Sequence, residues 1–497
     1  MKCAFRISLL LTTLAAVVCE AQISRFEHII VVVQENRTPD NLFHALCDNN
    51  PCSTNPDNTQ YDIQIKGWLN GSGTTDPTPA KINNGYDLNH SHPGWLAECN
   101  LPPTGCNQTN HLPTSCAMNG ASCTSPAGHP NGAYIYVDNS TGTIAPYITL
   151  ATSYGWANYM FQTNQGPSFP AHQFLFGGSS ALSYTDDAAH RFLAGNYAAG
   201  KPVGNPTAAG CVAQDGENLP IVDGTGKMST YTINHSTNTV TCIPLQSNGG
   251  RNTMADLLES VGMDWRYYST TYGMPGSTYA DGDIWTAPNA LLDICMPDAN
   301  NHYACAGSRW NKHVVLTPAT VLSDMANCNL APVSWVIPKG GNSDHPGGST
   351  GGPAWVASIY NQLDPTKFTC GYWNNTAIVV TWDDFGGFYD HEPPPITDSY
   401  ELGFRVPLLF ISAYTQAQYI DNTKYHDFGS ILRFIENNFS LPGGEGALGF
   451  ADKRAKTDLS TFYNLSNPAR KFVGVAAPRT AEDFINDKTP SGPVDDD

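Results

Sequence analysis

The acids and histidines of this chain cluster where strands should end. Thr376 to His391 reads TAIVVTWDDFGGFYDH: an apolar, β-branched run, two adjacent aspartates, an aromatic, two glycines and a further acid–histidine pair. Such a run is expected to form a buried strand. Open α/β sheets bind their ligands just beyond the carboxyl ends of strands, so Asp383 and Asp384 stand at a ligand-binding position. Glu35 and Asn36 stand at another, directly after FEHIIVVV (Phe26–Val33) and Gln34. Asp344 and His345 follow a third run, VSWVI. Carboxylates with a neutral amide oxygen suit a hard divalent cation, and nearby imidazoles widen the choice toward zinc or manganese.

Two more groups could take part. His90 and His92 lie two apart in DLNHSHPGW, and an extended segment would turn both to one side. That spacing fits metal binding, phosphate binding or a wet surface loop equally well. Ser168 sits between prolines in NQGPSFPAHQFLFGG, at a turn into a helix that contains His172. A serine there can be a nucleophile whose developing charge is eased by helix amides. No G-x-S-x-G elbow supports a lipase-type site, and on residue types alone a helix cap is the simpler role. The DxDxW run at Asp281 to Trp285 lacks EF-hand spacing. Adjacent aspartates on one strand point apart, which makes a glycosidase acid–base pair awkward.

These residues need a framework. The 497 residues are ample for one large α/β domain with insertions. At least four apolar runs alternate with helical patterns, which predicts a largely parallel central sheet flanked by helices. Thr38 and Pro39 mark the start of a short helix. Helices are also expected over Ser153–Thr163 (SYGWANYMFQT), from Thr253, over Leu316–Met325, Pro353–Leu363 and Ser430–Asn438. Loop-rich insertions lie near 47–142 and 205–250, and the polar segment 479–497 is expected to fray.

With 25 Lys+Arg against 44 Asp+Glu the net charge is -19, which disfavours nucleic acid. Residues 1–21 read as a signal peptide: Lys2 and Arg6, an apolar run from Ile7 to Val18, then small residues before Gln22. Its removal takes Cys3 and Cys19 and leaves 12 of the 14 cysteines, an even number that allows up to six disulfides in an oxidising compartment. The expected product is a single domain over 22–478, secreted or periplasmic, with stapled covering loops. No later run is long enough to span a bilayer. A secreted carbohydrate-binding protein with aromatic-rich loops is the non-enzymatic alternative.

In their order, QENRTPDNLF, NHSHPGW, GPSFPAH, SDHPGG and TWDDFGGFYDHEPPP resemble the bacterial phosphoesterase family of phosphocholine-preferring phospholipases C and related acid phosphatases, in the alkaline phosphatase-like superfamily. The resemblance covers roughly Phe26 to Leu441. It implies an alkaline phosphatase-like fold and one or more divalent ions (Zn, Ca, Mn or Mg) held by Glu35, Asn36, Asp383 and Asp384. It implies Ser168 as nucleophile and metal contact, which reverses the reading of that serine as a cap. His90 or His92, together with His345, would bind phosphoryl oxygen or assist the leaving group, with Asp344 orienting His345 and His391 supporting the metal loop. The implied activity is phospholipase C-type cleavage of phospholipid headgroups, with acid phosphatase action on monoesters as the close alternative. The implied partners are a small phosphate ester or headgroup and transient contact with a lipid surface, without an obligate protein partner. The cysteine-rich stretches Cys99–Cys123 and Cys211–Cys242 depart from the family pattern.

Overall fold

The computed structural model describes residues 23–491 apart from 70–72, 100–115, 119–120, 124–131, 196–209, 214, 217, 235–241, 243–250, 271–282, 298–303 and 349. The signal-peptide reading at 1–21 lies outside them.

Apolar residues on both faces of a strand leave it only the middle of a covered sheet. The two most continuous runs are placed there. The central sheet has eight strands: β1 (His28–Gln34), β2 (Gly155–Ala157), β3 (Trp265–Tyr268), β4 (Val314–Val315), β5 (Val333–Val336), β6 (Thr376–Trp382), β7 (Leu408–Ser412) and β8 (Tyr419–Asp421). Their order is β4-β3-β5-β1-β6-β7-β2-β8. The run β4-β3-β5-β1-β6 is parallel throughout, β7 is antiparallel to both neighbours, and β2 pairs with β8 in parallel. The sheet is therefore mixed but mostly parallel. Every residue of β6 is buried, as are all of β1 but His28.

Helices cover the sheet. α1 (Pro39–Leu42) begins at a Thr38 cap with proline in its first turn, as expected. α2 is His92–Cys99, α3 Ala145–Ser153, α4 Ser168–Gly177, α5 Met254–Ser260, α6 Gly352–Asn361 and α7 Phe428–Phe439. α3 packs against α6, and α4 against α7. The Trp335 indole of β5 donates to the Leu175 carbonyl of α4 at 3.1 Å. The Leu316–Met325 expectation shifts to Thr320–Ala326.

Two expectations need correction. Ser153–Thr163 is not a helix: α3 ends at Ser153 and the chain then enters β2. A Cβ on Gly155 would press on the Phe462 ring and the Phe410 carbonyl, so this glycine admits a close strand approach that no periodicity reveals. The segment past Arg479 does not fray at once. It forms α8 (Ala481–Asn486), started by a Thr480–Asp483 capping box, and buries Phe484 against Trp355.

The covering loops are stapled as expected. Cys47–Cys52, Cys211–Cys242, Cys295–Cys305 and Cys328–Cys370 are disulfides, and Cys99 is disulfide-bonded as well. Two satellite cores form under these loops. Trp68, Tyr86 and Tyr134 enclose Phe388 and Tyr389, while Trp95 and Phe404 enclose Phe385. The loop after β6 is thus pinned by its own aromatic residues on two sides.

Candidate functional site

Parallel register sets the site. β1 and β6 pair from His28↔Thr376 to Gln34↔Trp382, so Glu35 and Asp383 leave the sheet side by side. The Gln34–Trp382 pair is held by one neighbour, since Tyr147 accepts from the Gln34 amide at 2.7 Å and donates to Asp344 Oδ2 at 2.6 Å. The Trp382 indole donates to the same oxygen at 3.2 Å. Burial pushes the Asp344 carboxyl up to about 7.

Beyond that pair the two chains wind into each other. The Asp383 amide donates to the Gln34 carbonyl at 2.9 Å. Asp383 Oδ1 accepts from the amides of Asn36 at 3.1 Å and Asp384 at 2.8 Å. Asn36 has φ 61°, a left-handed conformation that asparagine tolerates better than most residues. Gly386 has φ 62°, and a Cβ on it would overlap the Asn36 carbonyl. Asp384 Oδ1 accepts from the Gly386 amide at 2.8 Å. The two strand-end turns therefore need each other.

The third element is α4. Pro167 occupies the N-cap and Ser168 is the first helical residue, without a capping hydrogen bond. The cap role expected from residue types is not its role: the hydroxyl donates to Glu35 Oε2 at 3.4 Å. One turn later His172 joins the cluster. Its Nε2 is 3.2 Å from Glu35 Oε1 and 3.8 Å from Asp383 Oδ2. Glu35, His172 and Asp383 offer ligand atoms within 4.8 Å of one another, all buried. His172 is absent from the site expected on sequence. Its only signal is the i, i+4 spacing from Ser168, which places both on one face of the helix.

The cluster is electrostatically unbalanced. Burial raises the Glu35 carboxyl well above its usual range, and Asp383, Asp384 and Asp283 push it further. Burial also lowers the His172 imidazole to about 4. Among the described residues no lysine or arginine pairs with Glu35 or Asp383, and Asn36 Oδ1 and Asp383 Oδ2 lack hydrogen bonds despite full burial. Buried, unpaired oxygens of this kind are costly unless something positive faces them. The donor set fits a divalent cation: Glu35, His172 and Asp383 bring their ligand atoms together, and Asn36 Oδ1 is a buried oxygen without a hydrogen bond on the same strand end as Glu35.

His90 adjoins this group and orients it. Its Nδ1–H donates to the Leu88 carbonyl at 2.7 Å, which leaves the Nε2 lone pair to accept from Asn36 Nδ2 at 3.1 Å. This bond commits Asn36 Nδ2 to His90 and leaves Oδ1 as the amide atom without a hydrogen bond. His90 Nε2 lies 3.9 Å from Asp384 Oδ2.

The other expected histidines have different neighbours. The chain turns helical at His92, so His90 and His92 do not share a face. His92 donates from Nδ1 to the Gln165 carbonyl at 2.6 Å, bracing the loop before Ser168, and burial lowers it to about 4. His345 sits against Asp87 at 3.5 Å, its own Pro346 carbonyl and the Trp285 ring. Asp344 is engaged with Tyr147 and Trp382 instead of serving only as a partner for His345.

His391 belongs to a separate buried brace. It bridges Asp40 at 2.8 Å and Asp62 at 2.9 Å, and these carboxylates raise it to about 10. Arg405 completes the brace through a two-pronged pair with Asp390 and a bond to Asp62. This network ties α1, the loop at Asp62 and the loop after β6 together.

The chain is 27% identical over 177 residues to a non-hemolytic phospholipase C of Pseudomonas aeruginosa, covering 29% of this chain and 25% of the relative. It is 23% identical over 506 residues to phospholipase C A of Mycobacterium tuberculosis, covering 90% and 81%. The chain thus spans about a quarter of the first relative's length and most of the second's. A solved Vibrio parahaemolyticus protein of the alkaline phosphatase superfamily aligns with TM-score 0.32 and 11% identity, over 62% of this chain and 63% of that one. Residues 26–442 match the phosphoesterase family, a span that takes in every residue of the cluster, and the chain therefore belongs to the phosphoesterase family.

Proposed function

We propose that the chain is a secreted, metal-dependent phosphoesterase of the alkaline phosphatase-like superfamily, cleaving phospholipid headgroup esters in the manner of a phospholipase C with Ser168 as nucleophile. The observation that carries this reading is the Ser168 hydroxyl at a helix start, 3.4 Å from Glu35 within a buried acid–amide–histidine cluster. The names of the matched relatives support the phospholipase C class. Four disulfides among the described residues support an oxidising destination, to which residues 1–21 would direct the chain.

When bound, a divalent cation held by Glu35, Asn36, Asp383 and Asp384 supplies positive charge to the phosphoryl oxygens and the serine oxygen. The chain's own groups do the rest. Ser168 Oγ forms a bond to phosphorus opposite the scissile ester oxygen, and its proton leaves toward Glu35 Oε2. The start of α4 favours the negative charge gathering there. His90 keeps Asn36 in register, and His92 steadies the Gln165 carbonyl ahead of the nucleophile. Water returns a proton to the departing alkoxide. Water then cleaves the serine–phosphate bond and frees the hydroxyl.

The test is a substrate panel on metal-analysed protein: phosphatidylcholine, phosphocholine esters and simple mono- and diesters from acidic to neutral pH. Diacylglycerol release from phosphatidylcholine is expected. Phosphate release from monoesters alone would replace this reading with a phosphomonoesterase, and inactivity of folded, metal-bound protein on every ester would remove it.

A further inference from the structure

His172 has no part in the mechanism above, yet its Nε2 lies within 3.8 Å of both Glu35 and Asp383. The helix that begins at Ser168 carries it one turn on, so the same rigid element delivers both side chains. His90 and His92 have their Nδ1 atoms bound to the Leu88 and Gln165 carbonyls. His172 Nδ1 has no hydrogen bond, so no carbonyl dictates which ring nitrogen carries the proton. Its Nε2 faces two carboxylates from two different strand ends.

Glu35, His172 and Asp383 are grouped closely enough to serve one ion, their ligand atoms lying within 4.8 Å of one another. Ligand atoms at about 2.1 Å from an ion lie roughly 3.0 Å apart in an octahedron and roughly 3.4 Å apart in a tetrahedron. His172 Nε2 is 3.2 Å from Glu35 Oε1 and 3.8 Å from Asp383 Oδ2. A hydrogen bond to Glu35 accounts for the first separation, while Asp383 Oδ2 lies beyond hydrogen-bond reach of the ring and still belongs to the same buried group of ligand atoms.

Granting the reading that Glu35 and Asp383 hold a cation, we infer that His172 is a nitrogen ligand of that centre, and that the site selects a first-row transition ion of the zinc or manganese class over calcium or magnesium. Imidazole adds little for a hard cation that prefers oxygen, and much for zinc.

The test uses the full chain stripped of metal and titrated calorimetrically with Zn²⁺ and with Ca²⁺. The wild type should bind Zn²⁺ more tightly than Ca²⁺. Folded His172→Gln should lose at least roughly 10- to 100-fold in Zn²⁺ affinity, the loss typical even of groups that only support a ligand. Its Ca²⁺ affinity should stay within about twofold. Should that variant fail to fold, nitrogen coupling in the electron paramagnetic resonance spectrum of Cu²⁺-loaded wild-type protein, retained in His90→Gln, provides the same answer. Unchanged Zn²⁺ affinity in folded His172→Gln, or no nitrogen coupling in the wild type, would overturn the assignment. Asp383→Asn separates the two levels. If it abolishes cation binding while His172→Gln changes nothing, only the ligand assignment falls. If neither changes binding, the metal centre itself falls.

Discussion

Glu35 and Asp383 emerge from adjacent parallel strands, one residue past the Gln34–Trp382 register pair. Two acids on separate segments, 348 residues apart in sequence, thus face each other with no cationic side chain paired to either among the described residues. Sheet register, more than any loop, builds this site.

That crowding gives Asp383→Asn opposite effects in two states. Without metal, the substitution removes a like charge from beside Glu35 and should raise the melting temperature. With saturating metal, it should lower both the stabilisation by metal and turnover, the latter by about 10²-fold or more. Differential scanning fluorimetry with and without chelator checks the sign. A lower melting temperature in the chelated variant would contradict the account.

Gly386 closes the turn that brings Asp384 back toward Asn36. At φ 62° a side chain is strained, and its Cβ would overlap the Asn36 carbonyl. Gly386→Ala should destabilise the fold by about 1–3 kcal/mol. Because the displaced atoms belong to Asn36, cation affinity should fall as well. Chemical denaturation and metal titration on the same preparation test both effects.

The His391 brace should respond to alkaline pH. Its folded pKa, about 10, lies above its ordinary 6.5 because Asp40 and Asp62 flank it, with Asp390 and Arg405 completing its surroundings. A raised pKa means the stabilisation is complete below about 6.5 and is lost as pH climbs through about 10. Replacing one partner of a buried ion pair costs roughly 3–5 kcal/mol. His391→Gln should show a deficit of that order at pH 6 that shrinks toward pH 10.5. Unfolding curves across this range measure it, and a deficit independent of pH would contradict the charged assignment.

The central fold was legible because β1 and β6 are nearly continuous apolar runs, and such runs are central strands almost by necessity. Their acidic ends followed directly. On residue types alone Ser168 reads first as a helix cap; only Pro167 taking the cap position in the fold removes that role. His172 was hidden within an aromatic-rich helix that is buried all round and shows no preferred face. The aromatic run at 153–163 misled because β2 is a short strand whose identity depends on its partners β7 and β8. The Thr480–Asp483 capping pattern did carry a local signal for α8. The brace of Asp40, Asp62, Asp390, His391 and Arg405 joins segments hundreds of residues apart and has no local signature.

The central claim is that Ser168 carries the phosphoryl group. Metal-loaded protein, mixed with a chromogenic phosphate ester and quenched in acid during turnover, should yield a phosphoryl adduct on the peptide containing Ser168. Folded Ser168→Ala should lose both the adduct and at least about a thousandfold of the activity. An adduct on another residue, or parental turnover by Ser168→Ala free of contaminating phosphatase, would contradict the account.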